Sequence, residues 1–289
     1  MSLANSAPEW LVAALAQSDI AGDEAAALLD RAPLDLRVNT LKASRDALQL
    51  PVDAAPTEAP NGLRLEPGAR VEQWDAFREG LIEVQDTGSQ LACLAVDAQP
   101  GETVIDLCAG AGGKTLALAA AMDNRGTLIA SDTDRGRLSK LAPRAERAGA
   151  GMIETLLLDP GREMEALGRF AGAADAVLVD APCSGTGTWR RNPEARWRLT
   201  QDRLARLVAT QRHLLGVAAG LVKPGGALVY VVCSLLDSEG ADQAQAFLAA
   251  HPGWSTASLD VGTPRGPGVR LTPLSHSTDG FFVAKMVRP

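Results

Sequence analysis

Thr103-Val-Ile-Asp-Leu-Cys-Ala-Gly-Ala-Gly-Gly-Lys-Thr115 is the stretch whose reading decides the fold. An apolar run stops at Asp106, a turn of small residues follows, and residues 114–122 have helical character. This is a strand–turn–helix unit, and its glycines at 110, 112 and 113 allow a tight turn and close backbone approach at a helix start. Two familiar phosphate loops do not fit. The P-loop pattern requires glycine where Cys108 stands, and the dinucleotide pattern Gly-x-Gly-x-x-Gly fails on spacing. What remains, an acid at a strand end before a small-residue turn, suits a nucleoside with a charged amino-acid tail.

The same alternation continues outward. Residues 127–131, 153–158, 176–179, 227–232 and 281–286 read as strands, with a helix predicted over 134–148. Strands alternating with helices imply an α/β domain with a mostly parallel sheet covered on both faces. Ligands of such sheets lie beyond the carboxyl ends of the strands. Asp132, Asp159 and Asp180 each stand at or after a strand end. Asp132 is placed to accept hydrogen bonds from both hydroxyls of a ribose, and Asp159 to reach an adenine amino group. A single strand-end aspartate is usually a turn or cap residue; three in register with a glycine-rich loop favour nucleoside binding.

Upstream, residues 8–50 read as helical, interrupted by a strand over 37–41, with Ser44 capping a helix over 45–50. Pro51, Pro56, Pro60 and Asn61-Gly62 mark residues 51–62 as a connector. A boundary falls between about 70 and 85, which divides the chain into a small α+β module, residues 1–78, and a large domain, residues 79–289.

The 289-residue chain carries a net charge of −7, the wrong sign for a protein that coats nucleic acid nonspecifically. Between Thr188 and His213, however, seven arginines face only Glu194 and Asp202. Arg190, Arg191 and Arg196 are the candidates there for phosphate binding; the alternative is a solvated helix face. The four cysteines, 93, 108, 183 and 233, are too widely spaced for a zinc site and read as reduced, cytosolic thiols. No metal is expected. No apolar run approaches the roughly 20 residues that span a bilayer, so a cytoplasmic protein without membrane contact is expected.

Two of those cysteines end strands of the same sheet, in Asp180-Ala-Pro-Cys183-Ser-Gly-Thr-Gly187 and Tyr230-Val-Val-Cys233-Ser234. A lone strand-end cysteine is usually a small buried hydrophobe. A pair beside Asp180 and a nucleoside pocket points instead to thiol chemistry.

The chain resembles the Nop/Sun family of RNA cytosine-5 methyltransferases, most closely its bacterial 16S rRNA methyltransferase B (RsmB-like) branch. The segments that carry the resemblance are Gln85-Asp-Thr-Gly-Ser-Gln-Leu-Ala92, the loop from Asp106 to Thr115, Asp180 to Gly187 with Arg190-Arg-Asn-Pro193, Tyr230 to Ser234, and Thr278-Asp-Gly-Phe-Phe282. Together they cover most of the chain in the family's order. The resemblance implies a Rossmann-like class I fold with a seven-stranded sheet and S-adenosylmethionine as cofactor. Its contacts map onto Cys108, Ala109, Gly110, Ala111, Gly112, Gly113, Lys114, Asp132, Asp159 and Asp180. It further implies catalytic roles for Cys233, Cys183, Asp180 and Lys114, with Cys233 the nucleophile and Cys183 assisting product release. The expected partner is RNA, 16S rRNA or a small-subunit assembly intermediate, met by a monomer whose residues 1–78 help to bind it.

Chemistry gives the cysteine pair a reason. Carbon 5 of cytosine is too weak a nucleophile to attack a sulfonium methyl. A thiolate adding to carbon 6 makes it enamine-like, and an acid at ring nitrogen 3, here Asp180, favours the addition. The carbon 5 proton must then leave and the thioether break, and the base must be out of its stack throughout.

Three features depart from the family pattern. The loop reads Cys-Ala-Gly-Ala-Gly-Gly-Lys where Cys-Ala-Ala-Pro-Gly-Gly-Lys is commoner, and Val232 replaces a threonine before the nucleophile. The NusB-like N-terminal domain of the long bacterial branch is not visible. DNA cytosine-5 methyltransferases use the cysteine of a Pro-Cys motif, which would make Cys183 the nucleophile, but their Glu-Asn-Val segment is absent. An amino-group methyltransferase would show Asn/Asp-Pro-Pro-Tyr/Phe where this chain has Asp-Ala-Pro-Cys. The remaining alternatives are another RNA, tRNA included, and a non-catalytic ribosome-assembly factor.

Overall fold

The computed structural model describes residues 6–289. In chain order, α1 (Glu9–Gln17) and α2 (Gly22–Ala27) precede β1 (Leu34–Val38), β2 (Ala54–Pro56), β3 (Gly62–Leu65), α3 (Asp75–Arg78) and β4 (Ile82–Val84). Then come α4 (Thr87–Leu94), β5 (Thr103–Asp106), α5 (Gly113–Ala121), β6 (Thr127–Asp132), α6 (Arg135–Leu138), α7 (Leu141–Ala148), β7 (Ile153–Leu157) and α8 (Glu163–Leu167). The remainder is β8 (Ala174–Asp180), α9 (Ala195–Arg198), α10 (Gln201–Leu221), β9 (Val222–Val232), α11 (Ala241–Ala250), β10 (Ser255–Ala257), β11 (Thr263–Arg265), β12 (Gly268–Leu271), α12 (Pro273–His276) and β13 (Phe281–Val287).

The chain folds as two compact units. One comprises Pro33–Asp180 and Val217–Leu228; the other comprises the residues up to Ala32, Ala181–Gly216 and Val229–Pro289. This division differs from the expected break after residue 78.

In the first unit, β5 pairs in parallel with β6 and β8, and β6 in parallel with β7. These strands read as near-continuous apolar runs, as strands covered on both faces must: Val104, Ile105, Leu128, Ile129, Val177 and Leu178 are buried. A four-stranded antiparallel sheet, β2-β3-β1-β4, belongs to the same unit. Polar bonds join it to the parallel part. Asn39 donates to the carbonyls of Gly80 and Ala148 at 2.8 Å each. Glu83 at the buried end of β4 receives both Arg144 and Arg147. Residues 33–84 are therefore built into the unit that carries the glycine-rich loop, which is why a composition-based boundary near 78 finds no counterpart here.

In the second unit, β12 pairs antiparallel with β11 and β13, and β10 lies antiparallel on β13. A core of Leu11, Leu15, Leu28, Trp189, Leu235 and Leu236 ties α1 and α2 to the segments that follow β8 and β9. The strands of the large sheet number nine among the described residues, not seven. The surplus pieces, β10 and β11, are only three residues each.

Local departures from the sequence reading have local causes. The strand expected over 37–41 runs over Leu34–Val38 and stops where Asn39 turns its amide to the two carbonyls. Residues 45–47 form a turn and 48–50 have no regular structure, where the sequence predicts a helix; the residue before Pro51 is itself biased away from helical backbone. The connector contains β2, an edge strand that tolerates Pro56 because an edge N–H needs no partner. The helix over 134–148 breaks into α6 and α7, with Pro143 in the first turn of α7, where its missing N–H costs least.

Candidate active site

A candidate donor-binding loop lies in the first unit. Gly110 and Gly112 have φ of +55° and +85°, the left-handed region that favours glycine. Space is tightest at Gly112, where a Cβ would press on the buried Leu141 side chain at 2.0 Å; one on Gly110 would meet the Arg137 guanidinium at 2.2 Å, the movable end of an exposed side chain. At Gly113, the first residue of α5, a Cβ would meet nothing within 4 Å. The loop is fixed from behind. Arg144, held by Glu83 at 2.9 Å, donates to the Ala111 carbonyl at 2.6 Å. Gln85 donates to the Gly113 carbonyl at 3.3 Å and accepts from buried Arg37 at 2.7 Å.

Carboxylates surround this loop. Asp106 is fully buried; one of its oxygens accepts from Thr115 at 2.7 Å and the other has no partner. Burial pushes its carboxyl up to about 7; Thr115 and Lys114 oppose the rise, and Asp180 and Asp132 add to it. Asp132 accepts from the Gly110 N–H on one oxygen and from the Asp134 N–H on the other, both at 2.7 Å. Each oxygen keeps a lone pair for another donor. Asp159 is exposed after β7. Lys114, mostly buried, donates to Asp180 at 2.6 Å, while Asp180 keeps 30% of its side chain exposed. Burial and the carboxylates of Asp106, Asp180 and Asp132 push the Cys108 thiol well above its ordinary value, so it serves as a small neutral wall. The first-turn N–H groups of α5, which a helix cannot pair internally, suit a carboxylate. A buried unpartnered oxygen, an open Gly113 and acceptors for a diol together fit a nucleoside bearing an amino-acid tail.

The cysteine pair lies in the second unit. Cys183 and Cys233 have their sulfurs 3.3 Å apart, inside hydrogen-bonding range and far beyond the bonded length of about 2.05 Å. All four cysteines are free. The hydrogen bond with Cys233, burial, and the charges of Cys233 and Glu239 push the Cys183 thiol well above its ordinary value, against a weaker bond from the Gly185 N–H. Cys183 therefore keeps its proton, and either sulfur can donate across this contact.

Three of the family segments meet in this unit, those around Cys183, Cys233 and Gly280. The Gly187 N–H donates to the Cys233 carbonyl at 3.0 Å, and the Gly280 N–H donates to the Gly187 carbonyl at 2.8 Å. A Cβ on Gly187 would stand 2.1 Å from the Gly280 oxygen, a backbone atom that cannot swing away. Gly187→Ala is expected to lower stability by about 2–3 kcal/mol. A urea denaturation midpoint unmoved by the substitution would contradict this packing.

Of the three arginines expected at a phosphate surface, Arg190 is committed within the protein. It donates to Asp279 at 2.9 Å and to the Thr278 carbonyl at 2.6 Å, with 6% of its side chain exposed. Arg191 shares Asp279 but stays about one-third exposed, and Arg196 is half-buried. A groove of 540 Å³ runs from Ser184 and Gly185 past Thr188, Arg191, Arg198 and Arg203. Trp197 stands 56% exposed between Arg196 and Arg198 in the sequence. Arg198 and Arg203 belong to the arginine-rich run, but sequence alone gave no reason to prefer them.

Glu239 was missed altogether. It is fully buried and receives bonds from the Ser184 N–H at 2.8 Å, the Ser184 hydroxyl, Ser234 at 2.6 Å and Gln211 at 3.0 Å. In the sequence it sits within Asp237-Ser-Glu-Gly240, which reads as a solvated turn.

No metal-holding cluster of His, Cys, Asp or Glu occurs among the described residues, and none of their helices is long and apolar enough to cross a membrane.

The chain is similar to known proteins. The family model described as 16S rRNA methyltransferase RsmB/F matches residues 93–287. Ribosomal RNA small subunit methyltransferase B of Citrobacter koseri is 38% identical over 97% of this chain and 66% of its own length. The protein of the same name from Sodalis glossinidius is 37% identical over 89% of this chain and 60% of its own. This chain thus spans less than two thirds of these curated relatives. Among solved structures, a methyltransferase homolog protein from Pyrococcus horikoshii superimposes with a TM-score of 0.77 at 29% identity, covering 92% of this chain and 89% of that one. The chain belongs to the 16S rRNA methyltransferase RsmB/F family.

Proposed function

We propose that this protein transfers a methyl group from S-adenosylmethionine to carbon 5 of a cytosine in RNA, 16S rRNA or a small-subunit assembly intermediate, through a covalent Cys233 adduct. The observation that carries the proposal is the cysteine pair: two free thiols 3.3 Å apart, of which Cys183 holds its proton. Bound S-adenosylmethionine supplies an electrophilic sulfonium methyl. Asp132 would take its ribose hydroxyls, Asp159 its adenine amino group, and the turn from Cys108 to Lys114 its amino-acid tail.

Cys233 is assigned the attack on carbon 6. Asp180, which accepts a hydrogen bond from Lys114 at 2.6 Å, is assigned to ring nitrogen 3. In the sequence only Ala181 and Pro182 separate Asp180 from Cys183. Once the Cys233 sulfur is bonded to carbon, it carries no charge to oppose ionisation of Cys183. The hydrogen bond and charge of Cys233, two of the causes that hold the Cys183 proton, are then gone; that proton passes to solvent and the Cys183 thiolate takes the carbon 5 proton. The thioether breaks as the ring regains aromaticity. Assigning the attack to Cys183 instead would give that task to the thiol that keeps its proton.

RNA is assigned to the groove that begins at Ser184, with Arg191, Arg198 and Arg203 for phosphates and exposed Trp197 as a stacking surface. The Glu194–Arg198 ion pair is exposed on both sides and gives way at little cost. The double substitution Arg198→Ala/Arg203→Ala is expected to weaken RNA binding about tenfold and to flatten the salt dependence by one to two phosphate contacts. Titrations at several salt concentrations measure both; an unchanged slope would remove the RNA from this groove.

The function itself is tested by incubating the protein with labelled S-adenosylmethionine and naked 16S rRNA, assembled small subunits or tRNA, then analysing nucleosides by mass spectrometry. Labelled 5-methylcytidine in a ribosomal substrate is the expected result. Label confined to tRNA would change the substrate, and binding without transfer to any of them would make the protein an assembly factor.

A further inference from the structure

We propose that Glu239 is a positioning residue for the two thiols: a buried carboxylate that locks the Cys183 loop and the Cys233 strand end into one register. The inference rests on reading that pair as the reacting groups.

The case is geometric. Each reactive cysteine is followed directly by a serine, Ser184 and Ser234, and both serine hydroxyls donate to the same Glu239 oxygen, Ser234 at 2.6 Å. The other oxygen accepts from the Ser184 N–H at 2.8 Å and from Gln211 at 3.0 Å. Gln211 also donates to the Pro182 carbonyl at 3.0 Å, so the residues on both sides of Cys183 are tied to one carboxylate and its partner. Tyr230, the chain's single tyrosine, donates to the Glu239 carbonyl at 2.5 Å and fixes its backbone. The serine hydroxyls lie 3.2 Å from each other, and Thr186 lies 3.1 Å from Ser234. Glu239 thus takes four hydrogen bonds, two on each oxygen, and stands in no ion pair among the described residues. A buried charge without a cation persists only where donors converge on it.

That charge also acts on Cys183. The groups that govern this thiol are the Cys233 sulfur and the Glu239 carboxylate, both of which favour its protonated form, and the Gly185 N–H, which opposes them. Burial adds to the same effect; a neutral residue at 239 removes the Glu239 charge from the influences that keep the Cys183 proton in place, so the thiol ionises at lower pH.

Glu239→Gln is the direct test, because it preserves volume and one acceptor while turning the other oxygen into a donor that faces donors. Iodoacetamide alkylation of Cys183 and Cys233, followed by peptide mass spectrometry across pH 6–10, reads the thiols without requiring methyl transfer. It therefore separates failure of this inference from failure of the methyltransferase reading. The expected results are onset of Cys183 alkylation at lower pH and a fall in kcat on the order of 10²-fold, as a misplacement near 1 Å would cause, with KM for RNA and for S-adenosylmethionine unchanged. A denaturation midpoint that drops while the alkylation profile and kcat stay at wild-type values would overturn the role and leave Glu239 a fold residue. Should Glu239→Gln fail to fold, Ser234→Ala removes one of the four bonds. An alkylation profile and a kcat identical to wild type in that variant would equally overturn the proposal.

Discussion

Cys233→Ala is expected to lose methyl transfer and the covalent RNA adduct together, a fall in rate on the order of 10⁴-fold or more, because no other group makes carbon 5 reactive. Cys183→Ala is expected to lose turnover yet retain the adduct, which accumulates as a protein–RNA band on a denaturing gel. The contrast follows from the proton inventory. With 3.3 Å between the sulfurs and the proton held on Cys183, one thiol is set to attack and the other to be recruited only after the adduct has removed its neighbour's charge. An adduct that forms in Cys233→Ala and disappears in Cys183→Ala would reverse the assignment and place the chain with the Pro-Cys chemistry of DNA methyltransferases. Loss of the adduct in both variants would mean that the two sulfurs act as one unit in the attack, and elimination would then need another base.

Much of this was legible in the sequence, because strand-end residues carry both fold and chemistry. The run that ends at Asp106, the glycine turn and the spacing to Asp132 mark a nucleoside-binding sheet, and β5, β6 and β8 lie where apolar runs predicted them. What escaped depends on tertiary partners. Arg190 looks like a phosphate ligand in an arginine-rich run, and only the fold brings Asp279 against it from 89 residues away. Glu239 looks like a turn acid, and only the fold converges two serines and a glutamine on it. The close approach of Gly187 to Gly280 links two segments 93 residues apart by backbone, which leaves no side-chain signal to find. Residues 1–78 read as a separate module because proline and glycine punctuate residues 51–62. The ties that fuse residues 33–84 to the donor loop, Glu83 to Arg144 and Asn39 to Ala148, are polar pairs with no periodicity.

Asp132→Asn is expected to raise the Kd for S-adenosylmethionine on the order of 10²-fold, measured by calorimetry, with the fold intact. The size follows from the carboxylate's geometry. Each oxygen already accepts one backbone N–H at 2.7 Å, from Gly110 and from Asp134, and retains one lone pair. A ribose offers two hydroxyls to those lone pairs, and bonds to a charged acceptor contribute about 1.5–3 kcal/mol each. Asparagine keeps one acceptor and turns the other into a donor, so at least one such bond is lost and the other weakened, which at 1.4 kcal/mol per decade gives the stated factor. The substitution also sets the amide against one backbone N–H, so a control is needed for the loop itself. Arg144→Ala frees the Ala111 carbonyl without touching the ribose acceptors. If the two variants weaken binding equally, Asp132 acts by holding the loop. If Asp132→Asn is far the weaker binder, the carboxylate holds the donor directly. A Kd within threefold of wild type for Asp132→Asn would remove the ribose from this strand end and leave recognition of the donor to the small-residue turn and Asp159.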